Sequence, residues 1–290
     1  MTRSNEAAVF VVTGVTGALG KAVASRLAGS GTVVLVGRDR GRVEQAAAEI
    51  RLAHGAERAE VVLADFADLA SVGTAADQIL ARHPGVDVLV NVAGVYKRTR
   101  AVTRDGLETM FQVNHLAPFL LTQRLLPALE KRAPARVITV AAPSTTRPDL
   151  DDLNGERRFN SLRAFGASKM CNLLFGFELA RRVDPNRVSS NLVHPGLVRS
   201  ALMAEAAAPL RLLLRLVSRA PDEAAEGIAW LAVDPSLQGV SGRFYKGRQE
   251  IDASPLARDT ELQAKLWDAS VRMIATSGAA RGSGVLHAAP

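Results

Sequence analysis

Residues 9–27 constrain this chain more than any other stretch. Val9-Phe10-Val11-Val12 is an unbroken apolar run, as a strand buried on both faces requires. Thr13-Gly14-Val15-Thr16-Gly17-Ala18-Leu19-Gly20 follows, and then a helical pattern with Val23 and Leu27 on one face. A turn this tight calls for residues without a β-carbon, both to reach positive φ and to let a ligand approach the main chain. The N–H groups and the dipole at the start of the next helix suit a pyrophosphate. Glycines at this spacing also fit an ordinary tight loop. Between a buried strand and an amphipathic helix, they point to dinucleotide binding.

The alternation continues along the chain. Thr32-Val33-Val34-Leu35-Val36 reads as a second strand, and further strands are expected at 59–64, 86–90, 135–140, 188–193 and 242–245. Between them run helical patterns, one carrying Val43, Ala47 and Ile50, the next Leu69, Val72, Ala76 and Ile79. This predicts an α/β, doubly wound Rossmann fold: a parallel seven-stranded sheet with helices on both faces, in one domain over 1–290. The tails, about 1–7 and 276–290, are expected to be loose. Residues 201–220 break the rhythm with an alanine- and leucine-rich segment whose Arg211, Arg215 and Arg219 share a helical stripe. A helical lid over a substrate pocket is the preferred reading, ahead of a plain surface helix and then of a membrane-surface helix.

Composition narrows the function. With 290 residues, 48% hydrophobic and 22% charged, the chain can bury one large core, and no apolar run is long enough to span a bilayer. The first eight residues are polar, without a signal-peptide core. The single cysteine, Cys171, excludes an intramolecular disulfide, so a reducing cytoplasm is expected. The net charge of +7 is spread over scattered basic residues with only 4% aromatics, so neither nucleic acid nor membrane is expected as a partner. An anionic cofactor accounts for the charge better. Arg38 ends the second strand, with Arg40 and Arg42 nearby, and guanidinium groups there favour the 2′-phosphate of NADP(H) over NAD(H). Asp39 is the counter-signal.

Several motifs in order carry a family resemblance. The glycine turn, Asp65-Phe66, Asn91-Val92-Ala93-Gly94, Asn114-His115-Leu116, Phe165-Gly166-Ala167-Ser168-Lys169 and the run from His194 to Ser200 resemble short-chain dehydrogenases/reductases. Gly239-Val240-Ser241-Gly242 and residues 254–267 resemble the retinol-dehydrogenase-like branch. The resemblance implies an oxidoreductase using NADPH/NADP+, held by Thr13, Gly14, Thr16, Gly17, Ala18, Leu19 and Gly20. Ala18 stands where that branch usually has glycine. Asp65, with Phe66, would hold the adenine, and Asn91, Ala93 and Gly94 the ribose side. Pro195, Gly196, Val198 and Ser200 would flank the nicotinamide. It also implies a homo-oligomer.

The departures lie in the catalytic tetrad, which the family builds from Asn, Ser, Tyr and Lys. Asn114 and Lys169 match, but Phe165 occupies the tyrosine position and Ala142 the serine position. Phenylalanine can neither donate nor accept a proton. Ser144, two residues beyond Ala142, is a fallback, while Lys169 reads as a ribose ligand. Asn114 reads as satisfying a helix kink or holding water. His115 and His194 stand where the family often has histidine without chemistry, Cys171 reads as a small buried hydrophobe, and no cluster has metal spacing. Losing the acid costs on the order of 10²–10⁴ in rate unless something replaces it. A ketone beside an acidic phenol brings its own donor, which suggests an aromatic polyketide substrate. In this the chain is similar to the atypical ketoreductases of angucyclinone antibiotic biosynthesis, which also lack the tyrosine. The alternative is an NADP(H)-binding homologue without redox turnover, acting as a cyclase or isomerase, a sensor or a scaffold.

Overall fold

The computed structural model describes residues 7–198 and 220–277. Its sheet follows from two-sided burial. In β1 (Ala8–Thr13), Val9 and Val11 join one core while Phe10 and Val12 join another, and β2 (Gly31–Gly37) splits in the same way between Val34/Val36 and Val33/Leu35. Alternate residues of a strand point to opposite faces, so a run that is apolar at every position needs cover on both sides.

The strands β3 (Ala59–Leu63), β4 (Val88–Asn91), β5 (Ala135–Val140), β6 (Val188–His194), β7 (Phe244–Lys246) and β8 (Gln249–Glu250) complete a sheet ordered β3-β2-β1-β4-β5-β6-β7-β8. Phe10 of β1 is flanked by Val33 of β2 and Val88 of β4. Among the described residues the sheet thus has eight strands, one more than the sequence suggests. β8 pairs antiparallel with β7 through a two-residue hairpin in which Gly247 takes φ +62°. Both of its residues are exposed, so no apolar pattern marks it.

One face is covered by α1 (Ala18–Ala28), α2 (Arg40–His54) and, later in the chain, Pro221–Val233. The other carries α3 (Leu69–Arg82), α4 (Thr109–Phe111), a π-helical turn (Gln112–Leu116), α5 (Ala117–Lys131) and α6 (Ser161–Arg182). Numbered on, Pro221–Val233 is α7 and Thr260–Thr276 is α8. α8 packs on α6 through Trp267, whose ring lies 4.8 Å from Phe119 and 6.0 Å from Phe175. His115 is enclosed beside them, with Nε2 2.9 Å from Ser270 Oγ. Burial pushes its pKa down to about 3, so it sits in the core as a neutral ring.

Helix starts differ in one respect that matters for the site. Asp39, Asp68, Asn160 and Asp259 accept hydrogen bonds from first-turn N–H groups of α2, α3, α6 and α8. α1 begins at Gly17 with no side-chain cap. Ser200, residues 201–219 of the expected lid and most of both tails lie outside the described residues.

Candidate cofactor and catalytic site

The order of the sheet reverses at β1, whose neighbours β2 and β4 lead away in opposite directions. Ligands of open α/β sheets bind beyond the strand ends at such a switch point. There the glycine turn after β1 meets the Asn91–Gly94 turn after β4. Thr13 Oγ1 accepts from the backbone N–H of Val92 (3.0 Å) and of Ala93 (3.1 Å), tying the two turns together. Gly14 takes φ +72°, and a β-carbon there would lie 2.8 Å from Ala93 Cα. One on Gly20 would collide with the Gly14 carbonyl. These glycines let the turn pack closely on the β4 turn and on α1, whose first N–H groups carry no side-chain cap and so suit an anionic ligand.

The charges at the end of β2 are used in different ways. Asp39 accepts from Arg42 N at 3.0 Å as the cap of α2, while Arg42 Nη2 donates to Thr16 O at 2.6 Å. The carboxylate is committed to the helix, and Arg42 braces the glycine turn. Arg38 and Arg40 are exposed and have no hydrogen bond or ion pair among the described residues. Asp65 makes a local turn, Oδ1 accepting from Ala67 N at 3.0 Å, beside buried Phe66. An exposed arginine, an uncapped helix and a Cβ-free turn fit a phosphorylated dinucleotide.

Asn91 faces inward instead. Its Nδ2 donates to Thr122 Oγ1 at 3.1 Å and reaches Thr139 Oγ1 at 3.5 Å, so it braces α5 and β5. Asn114 lies in the π-helical turn, a local widening that re-aims a side chain. Its Oδ1 accepts from Val95 N at 2.7 Å, and Nδ2 donates to Val95 O at 3.0 Å and to Ser168 Oγ at 2.9 Å. It staples the β4 turn to α6.

That staple fixes Lys169, the residue after Ser168. Lys169 is only 6% exposed, with Nζ 3.4 Å from the point where a Gly94 β-carbon would stand. The ammonium lies 5.6 Å from the centre of the Phe165 ring and has no hydrogen bond or ion pair among the described residues. Desolvation pulls its pKa down to about 8. Phe165 and Ala142, both half-buried, bring no hydroxyl to this corner. Ser144 Oγ donates to Gly166 O at 2.8 Å and accepts from Thr146 N at 3.2 Å, so its proton is spent on latching the loop after β5 to α6. Pro195, Gly196 (φ +76°) and Val198 form the loop after β6. His194 is half-buried at the end of that strand, and Cys171 is buried with its thiol pushed up by desolvation.

One residue here escaped the sequence reading. Tyr96, two residues beyond Gly94, packs edge-on to Phe165 with ring centres 5.7 Å apart, and its hydroxyl donates to Ser161 Oγ at 3.0 Å. Its position just past the Asn91–Gly94 motif was the available signal.

Fold and site together define a dinucleotide-dependent oxidoreductase acting on a C=O or CH–OH group. Residues 8–210 match the family profile described as short chain dehydrogenase, and the chain belongs to that family. Human retinol dehydrogenase 14 is 37% identical over 286 residues, covering 91% of this chain and 85% of that protein. Mouse polyprenol dehydrogenase is 37% identical over 285 residues, covering 93% and 84%. Among solved structures, an uncharacterised protein from Mycobacterium paratuberculosis superposes with a TM-score of 0.74 at 30% identity, covering 93% of this chain and 94% of that one. Among the described residues no group of His, Cys, Asp and Glu could hold a metal ion, and no helix is long and apolar enough to cross a membrane.

Proposed function

We propose that this protein is an NADP(H)-dependent ketoreductase of an apolar aromatic ketone, of the kind found in polyketide antibiotic biosynthesis, and that it works without the tyrosine–serine pair of its family. The observation that carries the reading is Lys169. A buried cation with no anionic partner costs about 3 kcal/mol at the shift from 10.5 to about 8. A ligand with hydroxyls beside Gly94 would offset that cost. Arg38, with its guanidinium unspent at the end of β2, favours a 2′-phosphate.

The bound cofactor supplies a hydride, so the chain has to hold the ketone and see to a proton. Leu162 (57% exposed) on α6 and Leu197 (49% exposed) on the loop after β6 are large apolar side chains left open to solvent, and favour an apolar ligand. Neither Phe165 nor Ala142 has a proton to give, and that of Ser144 is engaged by Gly166. The donor nearest the reacting oxygen is then the substrate itself, through a hydroxyl hydrogen-bonded to its own carbonyl. That bond strengthens as charge grows on oxygen in a water-poor site, and the Lys169 ammonium favours the same charge. The lone buried Cys171 suits a reducing cytoplasm as the setting.

Phe165 and Ala142 also favour a second reading, a dinucleotide-binding protein without turnover. One assay separates the two: NADPH absorbance with an ortho-hydroxyaryl ketone and with its methyl ether. Oxidation with the phenol and none with the ether is expected. Equal rates with both would remove the substrate-assisted proton, and no oxidation with any ketone would leave the second reading.

A further inference from the structure

Ser161, Phe165 and Lys169 follow one another at intervals of four along α6, so they form one stripe with steps of just over one helical turn, roughly 6 Å. Tyr96 lies across the outer half of this stripe. Its ring meets Phe165 edge-on, its hydroxyl bonds Ser161, and Met110, Phe159 and Ala164 pack with it into an apolar cluster separate from the two cores of the sheet. The site therefore has a hydroxyl pair after all, one turn outward from Phe165 and two from Lys169.

Two hydroxyls that share one hydrogen bond carry two protons and use one. The second proton of the Tyr96–Ser161 pair has no acceptor among the described residues. Tyr96 is 6% exposed, whereas Ser161 is half-buried, so the unspent donor is presented at Ser161. A hydroxyl against an apolar wall gains most from a ligand oxygen, because little water competes there.

We propose that Tyr96 and Ser161 form a subsite for a second oxygen of the substrate, selecting ketones that carry an oxygen across the ring from the reacting carbonyl. The proposal rests on the reductase reading and narrows its substrate. The reacting oxygen sits at the level of Phe165, which the Lys169 ammonium approaches, and the second oxygen one helical turn further out at Ser161. Two oxygens on opposite corners of a six-membered ring have about that spacing, while a neighbouring hydroxyl is too close to reach both levels. Tyr96 and Ser161 act here as specificity residues, since the proton and hydride move elsewhere.

Calorimetry on the NADP+-bound protein tests this with two probes, α-tetralone and α-tetralone bearing a hydroxyl directly across the ring from its carbonyl. The wild type is expected to bind the hydroxylated ketone about tenfold more tightly, the effect of one added hydrogen bond. Tyr96→Phe and Ser161→Ala are each expected to reduce that preference to less than about twofold, with α-tetralone binding unchanged. A merely structural tie between the β4 turn and α6 would shift both ketones alike. Equal binding of the two ketones by the wild type, binding of neither, or a preference that survives both substitutions would overturn the subsite. A preference that the two substitutions erase, with no NADPH oxidised by an ortho-hydroxyaryl ketone, would keep the subsite and remove the reductase reading, so the two can fail separately.

Discussion

The cofactor end and the proton end of this site use their polar groups in opposite ways. At the cofactor end, Thr13, Asp39 and Arg42 are spent on holding two turns in place, and what is left over is Arg38 with the uncapped start of α1. At the proton end, Asn114 and Ser144 are likewise spent on bracing, but what is left over is a buried ammonium facing a phenylalanine. The first end thus retains an anion-binding capacity that its own residues do not use. The second retains a charge without a proton relay. Spent groups report how a site is held together, and unspent ones report what it is held open for.

If that contrast is right, Lys169 breaks it most severely. Lys169→Met is expected to lower ketone reduction by at least about 10², the scale of losing one preorganised charge. The same change should stabilise the ligand-free protein. The pKa of Lys169 is about 8 folded and 10.5 unfolded, so the buried charge destabilises fully below pH 8 and progressively less as pH rises to 10.5. Phe165, Asn114 and Gly94 surround the ammonium, and no charged side chain contributes to the shift. Urea titrations of wild type and variant should therefore differ at pH 7 and converge by about pH 10.5. A constant difference would mean that the amine is not desolvated.

Arg38→Asp tests the other end. NADPH binding is expected to weaken by about 2–3 kcal/mol, with NADH little affected, when both are followed by calorimetry. Equal losses for the two would move the phosphate contact elsewhere, with Arg40 next to examine.

His115 supplies a control remote from both ends. Its folded pKa of about 3 lies below the unfolded 6.5, so the unfolded chain takes up the proton first, and stability falls as pH drops from 6.5 toward 3. At pH 5 the loss is about 2 kcal/mol, and His115→Leu should remove that slope in denaturant titrations. The smallest effect is expected from Phe165→Tyr, less than about threefold in turnover, because Ala142 and the committed Ser144 leave the new hydroxyl without its usual partner. A gain of 10² or more would show that the family relay is intact but for one atom.

Much of the fold was legible because strands buried on both faces read as plain apolar runs. Thr32–Val36 and the 135–140 and 188–193 stretches all fall within observed strands. β8 was not legible, since two exposed polar residues carry no pattern. At the site, the glycines announce themselves by spacing, and Lys169 by its place in the family motif it resembles. The roles of Thr13, Asn91 and Asp39 did not, because side-chain direction decides whether a motif residue meets the ligand or the protein, and spacing is silent on direction. Tyr96 was overlooked for a related reason: nothing in the order of residues says that its hydroxyl meets Ser161, 65 positions later.

The central claim is that hydride still moves although residue 165 cannot donate a proton. The direct measurement uses NADPH deuterated at both C4 positions of the nicotinamide, an ortho-hydroxyaryl ketone and mass spectrometry of the product. The account predicts one deuterium on the new carbinol carbon, and none when the phenol is methylated. Unlabelled or unreduced ketone from an enzyme that binds NADPH tightly would contradict it.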